Sequence, residues 1–166
     1  MLLYHSSNME VNKPRLMEQT RGLDFGPGFY LTTNEEQALR FSEIVVRRRK
    51  NGTATISIYK FEEEAAEKTL AIKRFDRADA EWLLFVTNNR LKIYQGYLYD
   101  AIIGAVANDT VMPAIQAYLG GFITEEAALI TLKTSNLVDQ VCLKSEKALS
   151  LLHFVESKTK GGSVHG

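Results

Sequence analysis

The segment Asp24-Phe25-Gly26-Pro27-Gly28-Phe29-Tyr30-Leu31-Thr32-Thr33-Asn34 decides how the rest of the chain is interpreted. Its Gly-Pro-Gly centre predicts a tight turn, because glycine adopts backbone angles that a β-carbon forbids. The aromatic and β-branched residues 29–33 predict a short strand whose side chains alternate between two faces. Asn34 is a typical helix N-cap, and Gln37 occupies the capping-box position. We therefore expect a turn, a strand and a helix start in direct succession.

The composition is that of an ordinary globular domain. The chain has 166 residues, of which 45% are hydrophobic and 24% charged, and its formal net charge is zero. Neutrality argues against a nucleic-acid binder that works by bulk electrostatics, although a local patch stays possible. The single cysteine, Cys142, cannot form an internal disulfide, which fits a reducing compartment. The first residues do not resemble a signal peptide, and no apolar run approaches the roughly 20 residues that a membrane helix needs. We therefore expect a soluble cytoplasmic protein that has no membrane partner.

The remaining sequence predicts one α+β domain over residues 1–157 and a flexible C-terminal tail over 158–166. The acidic segment 62–68 is expected to be a solvated connection. Residues 108–110 are predicted to form a turn and a helix cap. Strands are predicted at 2–5, 29–33, 53–61, 70–75, 99–107, 137–143 and 151–155, and helices at 34–50, from Asp76, near 111–119, at 124–132 and from Ser145.

The helix after Asn34 carries two further expectations. Ala38, Phe41 and Val45 share a helical stripe, which predicts a buried face. Arg47-Arg48-Arg49-Lys50 ends the helix, and these cations complement the macrodipole. The same run would alternatively serve as a phosphate-binding patch. On the next long helix, Trp82 is interpreted as a core residue.

Three motifs occur in a fixed order along the chain: Tyr4-His5-Ser6, Gly26–Leu31 and Asp139–Cys142. This arrangement resembles the ADP-ribosyltransferase superfamily, in the branch of the poly-ADP-ribose polymerases and diphtheria toxin. The signature there is His, Tyr and Glu on three strands of a split β-sheet core flanked by helices. Gln140 stands where the family often has its Glu. The resemblance implies that same ADP-ribosyltransferase-like fold here.

The chain is also similar, nearly from end to end, to a bacterial family catalogued as a domain of unknown function. The stretches GAVAND (104–109) and QVCLKSEKAL (140–149) carry that likeness.

The superfamily resemblance implies that NAD is the substrate. Cleavage of the nicotinamide–ribose bond passes through an oxocarbenium-like centre, and aromatic rings hold a flat nicotinamide by stacking. Tyr30 would be one plate and Phe41, eleven residues later, the other. His5 would bond an adenosine ribose hydroxyl, and the Ser6 backbone would hold the carboxamide. The implied catalytic residues are His5, Tyr30 and Gln140; the implied NAD-binding residues are His5, Ser6, Gly28, Tyr30 and Phe41.

Several positions depart from the family pattern. Ser6 replaces the usual Gly after the histidine, and Ala38 stands where polymerase-type members have Ser. Gln140 matters most, because a neutral amide does not offset developing positive charge as a carboxylate does. Loss of one such contact costs on the order of 100-fold in rate. Because Gln140 replaces the carboxylate, chain elongation into a polymer is not expected. Glu146, six residues further along the chain, is a candidate substitute for that carboxylate.

The sequence thus predicts an NAD-dependent mono-ADP-ribosyltransferase that modifies an unknown protein or nucleic-acid acceptor. A bacterial toxin countered by an inhibitor protein would fit this activity. The alternative is a catalytically weakened domain that binds NAD, ADP-ribose or a partner protein without turnover. A third candidate is a relative of the RNA 2′-phosphotransferases, which share the superfamily fold, but this chain lacks their Arg- and His-rich signature. Cys142 is interpreted as a buried small residue, and without HExxH, paired CxxC or P-loop motifs no metal site is expected.

Overall fold

The structure is a computed structural model that describes residues 1–17, 22–107, 110–135, 137, 139–160 and, by their backbone, 164–165. It has an α+β fold in which helices flank one mixed sheet, as predicted. The strands are β1 (Leu2–Ser7), β2 (Phe29–Thr32), β3 (Thr55–Phe61), β4 (Ile72–Arg74), β5 (Ala101–Ala105), β6 (Asp139–Leu143), β7 (Leu152–Thr159) and β8 (Val164–His165). The helices are α1 (Glu35–Arg49), α2 (Glu63–Thr69), α3 (Ala80–Arg90), α4 (Met112–Leu119), α5 (Glu125–Lys133) and α6 (Glu146–Leu149).

The strand order is β4-β5-β6-β2-β1-β3-β7-β8, and β4 and β5 run parallel while the other neighbouring pairs are antiparallel. β2 pairs with β6 along its whole length, and β1 pairs with β3 along its whole length. β1 and β2 share a single register pair, Tyr4 opposite Thr32. The two halves of the sheet are therefore joined narrowly, and the edge of β1 that faces β2 lacks a ladder partner among the described residues beyond Tyr4.

Apolar side chains cover both faces of the sheet. On one face, α3, α4 and α5 pack over β5 and β6 around Trp82 and Cys142. Trp82 is fully buried and its indole Nε1 donates to the Ala105 carbonyl at 2.7 Å, which confirms it as a core residue. Cys142 is a buried free thiol, also as expected. On the other face, α2 and α6 cover Leu3, Tyr59 and their neighbours.

Helix α1 begins as the sequence predicts but buries a different stripe. Asn34 is the N-cap, and its side chain accepts from the Gln37 backbone N–H at 2.8 Å. The buried residues of α1 are Ala38, Ser42 and Val45, whereas Phe41 is 40% exposed. The predicted stripe was therefore wrong at Phe41, because the helix rotates the smaller Ser42 side chain toward the sheet.

Other element boundaries also differ from the prediction. The acidic segment 62–68 largely forms α2, because Ala66 gives it a buried contact on the sheet. The cap of α3 is Asp79 rather than Asp76, since the Asp79 carboxylate accepts from the Trp82 N–H at 3.0 Å. The turn predicted at 108–110 lies outside the described residues except for Thr110.

The predicted C-terminal tail begins too early. Strand β7 continues through Lys158 and Thr159, which pair with β3 opposite Ile56 and Thr55. β8 adds a further antiparallel strand beside β7. The described part of 158–166 thus extends the sheet, and residues 161–163 and 166 lie outside the described residues.

Candidate functional site

The fold brings the three motif residues onto neighbouring strands. His5 lies on β1, Tyr30 on β2 and Gln140 on β6, and these strands are consecutive in the order β6-β2-β1. Tyr30 is opposite Cys142 and Thr32 is opposite Gln140. Because opposed residues of an antiparallel pair point to the same face and alternate residues share a face, Tyr30 and Gln140 share one face of the sheet.

The ring of His5 lies on the opposite face. It stacks on the Phe29 ring with 4.0 Å between centroids and 20° between planes. Phe29 neighbours Tyr30 along β2, so their side chains point to opposite faces. The resemblance had implied that His5 and Tyr30 lie in one NAD-binding pocket. The structure instead connects them through the backbone, because His5 Nδ1 lies 2.7 Å from the Tyr30 carbonyl oxygen.

The hydrogen bond to the Tyr30 carbonyl determines the tautomer of His5. A carbonyl only accepts, so Nδ1 carries the hydrogen and Nε2 is left as an acceptor. Burial lowers the pKa of His5 to about 4; the Tyr30 carbonyl opposes this shift, and the nearby Arg49 charge adds to it. His5 is therefore neutral near pH 7, in a tautomer that can accept a hydrogen bond at Nε2.

This low pKa predicts an acid-sensitive fold. The unfolded chain binds a proton at His5 near pH 6.5 and the folded chain near pH 4, so the free energy of unfolding falls as pH drops through that window. The expected loss is about 2–3 kcal/mol between pH 7 and 4. The variant His5→Asn keeps a donor for the Tyr30 carbonyl but does not titrate, so its denaturant midpoint should change less with pH.

A matched control is His153→Asn, because His153 pairs with Glu62 at 2.6 Å on the exposed surface. This variant should keep the acid sensitivity of the parent. Identical pH dependence of the parent and His5→Asn would contradict the assignment.

The Tyr30 hydroxyl is committed to the turn before β2. It donates to the Gly26 carbonyl at 2.6 Å and accepts from the Phe25 N–H at 3.0 Å. Its ring is nearly parallel to that of Phe25, with centroids 6.4 Å apart. Burial raises the pKa of Tyr30 far above its usual range, so the phenol stays protonated. The hydroxyl thus holds the turn, and only the half-buried ring is left for stacking.

Two further side chains lock the same turn, and the sequence did not identify either. Lys144, directly after β6, donates to the Phe25 and Pro27 carbonyls at 2.7 and 2.6 Å. Asp24 is 5% exposed, accepts from the Ala107 N–H at 2.7 Å and pairs with Arg90. The one signal in the sequence for these contacts was the acid Asp24 ahead of the Gly-Pro-Gly turn. The residues that contact the turn, such as Arg90 and Lys144, are distant in sequence and could not be identified from it.

Gly28 lies directly before β2 and packs against Cys142 and Leu143 of β6. A Cβ on Gly28 would be 2.4 Å from the Cys142 Sγ and 2.9 Å from the Leu143 carbonyl oxygen. Gly26 adopts a φ of +76°, which favours glycine. These contacts give Gly28 a structural role, and its place in an NAD site stays a prediction.

Helix α1 covers the face that Tyr30 and Gln140 share. The Ser6 hydroxyl donates to the Ala38 carbonyl at 2.6 Å, which ties β1 to this helix. One turn further on, Phe41 is exposed, with the Arg48 guanidinium 5.9 Å from its ring centroid. No ring contact joins Phe41 to Tyr30 within the described part of the chain. The stacking pair therefore stays a prediction that needs an open slot between the rings.

Gln140 is half-buried between two small neighbours, opposite Thr32 on β2 and Gly104 on β5. Its side-chain amide makes no hydrogen bond to a described residue. Thr32 Oγ1 in turn lies 3.2 Å from Gln37 Oε1, and both register partners of Gln140 are uncharged. Glu146 opens α6, beyond the far end of β6, which makes it a poor substitute for the missing carboxylate.

Two surface cavities lie beside these residues rather than on them. A cavity of about 640 Å³ is lined by residues 76–80, by α5 and by Asp139, the neighbour of Gln140. A second, of about 310 Å³, lies along residues 74–81. Neither is lined by His5, Tyr30, Phe41 or Gln140. No group of acidic, His or Cys side chains among the described residues could hold a metal ion.

The fold and motif positions define the protein as an α+β domain with a locked turn ahead of its central strand. The chain belongs to the family described as "Protein of unknown function (DUF3990)", which it matches over residues 1–154. No curated protein and no solved structure gives a significant match to it. Within the described ranges, the helices include none that is both long and apolar enough to cross a membrane.

Proposed function

We propose that this protein is an NAD-dependent mono-ADP-ribosyltransferase. The observation that supports it is the convergence of His5, Tyr30 and Gln140, far apart in sequence, on the consecutive strands β1, β2 and β6. The resembled superfamily carries its His, Tyr and Glu on three such strands. The narrow join between β1 and β2 adds support, because it leaves strand edge free for a ligand.

In the proposed reaction, the bond between ribose C1′ and the nicotinamide nitrogen breaks. Nicotinamide leaves with the bonding electron pair, and an acceptor nucleophile adds at C1′ and loses its proton. The ring of Tyr30 stacks on nicotinamide, with Phe41 as the second plate. The open edge of β1 at Ser6 pairs with the carboxamide, since backbone offers a fixed donor and acceptor.

His5 and Gln140 hold the sugars in this proposal. Nε2 of neutral His5 accepts a hydrogen bond from a ribose hydroxyl bound at the edge of β1 that lacks a ladder partner within the described residues. The free Gln140 amide holds a hydroxyl of the ribose that carries nicotinamide. It supplies no charge to the oxocarbenium-like centre, so turnover is slow. The acceptor is a macromolecule, and the single buried thiol of Cys142 fits a cytoplasmic location.

The second candidate function is NAD or ADP-ribose binding without turnover. The specific observation that favours it is that Gln140 itself and its two register partners, Thr32 and Gly104, are uncharged. Saturable binding of NAD with neither nicotinamide release nor transfer of ADP-ribose distinguishes this function from catalysis.

The variant Gln140→Glu tests the role of this position. A carboxylate would stabilise the developing positive charge, so nicotinamide release should rise by about 100-fold. NAD affinity should change by less than about threefold, because the interaction arises mainly in the transition state. The rate is measured by chromatography of free nicotinamide, and transfer by labelled NAD in a cell lysate.

Gln140→Ala is the matched control, and it should lower turnover more than affinity. If neither the parent nor Gln140→Glu releases nicotinamide but both bind NAD, the binding function is correct. If neither binds NAD or ADP-ribose, both candidate functions are wrong.

A further inference from the structure

Helix α1 exposes a row of cations that neither the fold nor the proposed NAD chemistry uses. Arg40, Arg47, Arg48 and Lys50 are all exposed, and none of them forms an ion pair with a described residue. Arg49 differs, because its Nη1 donates to the Asn8 side chain at 3.0 Å. We call Arg40, Arg47, Arg48 and Lys50 the α1 basic patch.

Two of the three acids of α1, Glu35 and Glu43, are paired with lysines outside the helix. Glu35 and Glu36 lie in the first turn, and Glu35 pairs with Lys158 at 2.7 Å. Glu43 is paired with Lys160 at 2.5 Å, and that contact, with a smaller effect of Arg47, lowers its pKa. The chain as a whole is neutral, so the patch is a local concentration of charge.

The helix macrodipole explains only part of the patch. Its effect falls off within the last turn, where Arg47 and Arg48 lie. Arg40 lies two turns earlier and one helical repeat from Arg47, so both project to the same side of α1. Such alignment provides cations along about 10 Å of helix, enough to contact successive phosphates of one strand.

An aromatic ring lies within the patch. The Arg48 guanidinium sits 5.9 Å from the centroid of the exposed Phe41 ring. Arginine binds phosphate through paired N–H donors, and its planar group also stacks on bases. Cations combined with an aromatic surface are typical of single-strand binding, whereas an acidic peptide would use the charge alone.

From these contacts we infer that the α1 basic patch binds single-stranded nucleic acid through its phosphate backbone. This inference goes beyond the proposed function and does not depend on NAD chemistry. Its test therefore contains no NAD. Phe41 is also the predicted second plate for nicotinamide, so the discriminating variants change arginines and leave the ring intact.

The test measures fluorescence anisotropy of labelled 12-nucleotide single-stranded RNA and DNA with the full chain, from low to moderate salt. Neutralising three to four phosphates predicts a log–log salt slope of about −2 to −3. Arg47→Gln/Arg48→Gln should weaken binding at least tenfold and reduce the magnitude of the slope by about 1.4. Lys68→Gln/Lys133→Gln removes the same charge from exposed positions elsewhere and should leave affinity within about twofold.

Three results would overturn the inference. They are no binding of either strand at low salt, an equal loss in the control variant, and equally tight binding of poly-glutamate or of phosphatidylserine vesicles. Circular dichroism and thermal unfolding of each variant establish that the exposed substitutions leave the fold intact. NAD binding by Arg47→Gln/Arg48→Gln, measured separately, shows whether the proposed function stands apart from this surface.

Discussion

Asp24→Ala is expected to destabilise the fold by about 3–5 kcal/mol, the largest effect of any single change considered for this protein. Asp24 is 5% exposed and its carboxylate is shared between Arg90 and the Ala107 N–H. Its removal leaves the half-buried Arg90 without its anion and a backbone donor without its acceptor. Urea denaturation, followed by circular dichroism, measures the loss as a lower midpoint.

The pair itself is not the source of the stability. Burial raises the pKa of Asp24 despite the opposing effects of Arg90 and the Ala107 N–H. Burying two charges costs desolvation energy, so removing both charges should destabilise the fold less than removing one and leaving the other unpaired. Asp24→Ala/Arg90→Met should therefore be more stable than Asp24→Ala alone. The exposed Asp76 provides the control, because Asp76→Ala should change stability by less than about 0.5 kcal/mol.

A loss below about 1 kcal/mol for Asp24→Ala would show that the carboxylate does not hold the turn. In that case Lys144 and the Tyr30 hydroxyl would hold the turn without it. A double variant no more stable than Asp24→Ala alone would show instead that the unpaired Arg90 charge is not the source of the loss.

Gly28→Ala is expected to cost about 3 kcal/mol through steric overlap. The new methyl group would lie 2.4 Å from the Cys142 Sγ and 2.9 Å from the Leu143 carbonyl oxygen. Gly28 does not have a positive φ, so the cost comes from contact rather than from backbone strain. β2 would have to move away from β6, which would also displace Tyr30 and lower any NAD affinity.

A double-mutant cycle isolates this contact. Cys142→Ala removes the sulfur, so Gly28→Ala should cost less in that background, although the overlap with the Leu143 carbonyl persists. Gly121→Ala is the matched control, because nothing lies within 4 Å of its added Cβ and its φ of +76° is the only source of strain. That control should cost about 1 kcal/mol. Additive effects of Gly28→Ala and Cys142→Ala would contradict the proposed overlap.

Local signals in the sequence determined much of the fold. The Asn34 cap, the strand before it and the burial of Trp82 were predicted correctly, because each depends on neighbours within a few residues. Errors came where a distant partner overrode the local pattern. Residues 63–69 form a helix because Ala66 packs against the sheet. Lys158 belongs to β7 because it pairs with Ile56 of β3.

The candidate site shows the same division. The sequence named His5, Tyr30 and Gln140 and their order along the chain, but local periodicity says nothing about which face of a sheet two distant strands present to each other. Strand pairing put Tyr30 and Gln140 on one face and the His5 ring on the other. The packing of α3 and the position of β6 brought Arg90 and Lys144 to the turn that begins at Asp24. Long-range hydrogen bonds and burial decide such contacts, and only the tertiary structure contains them.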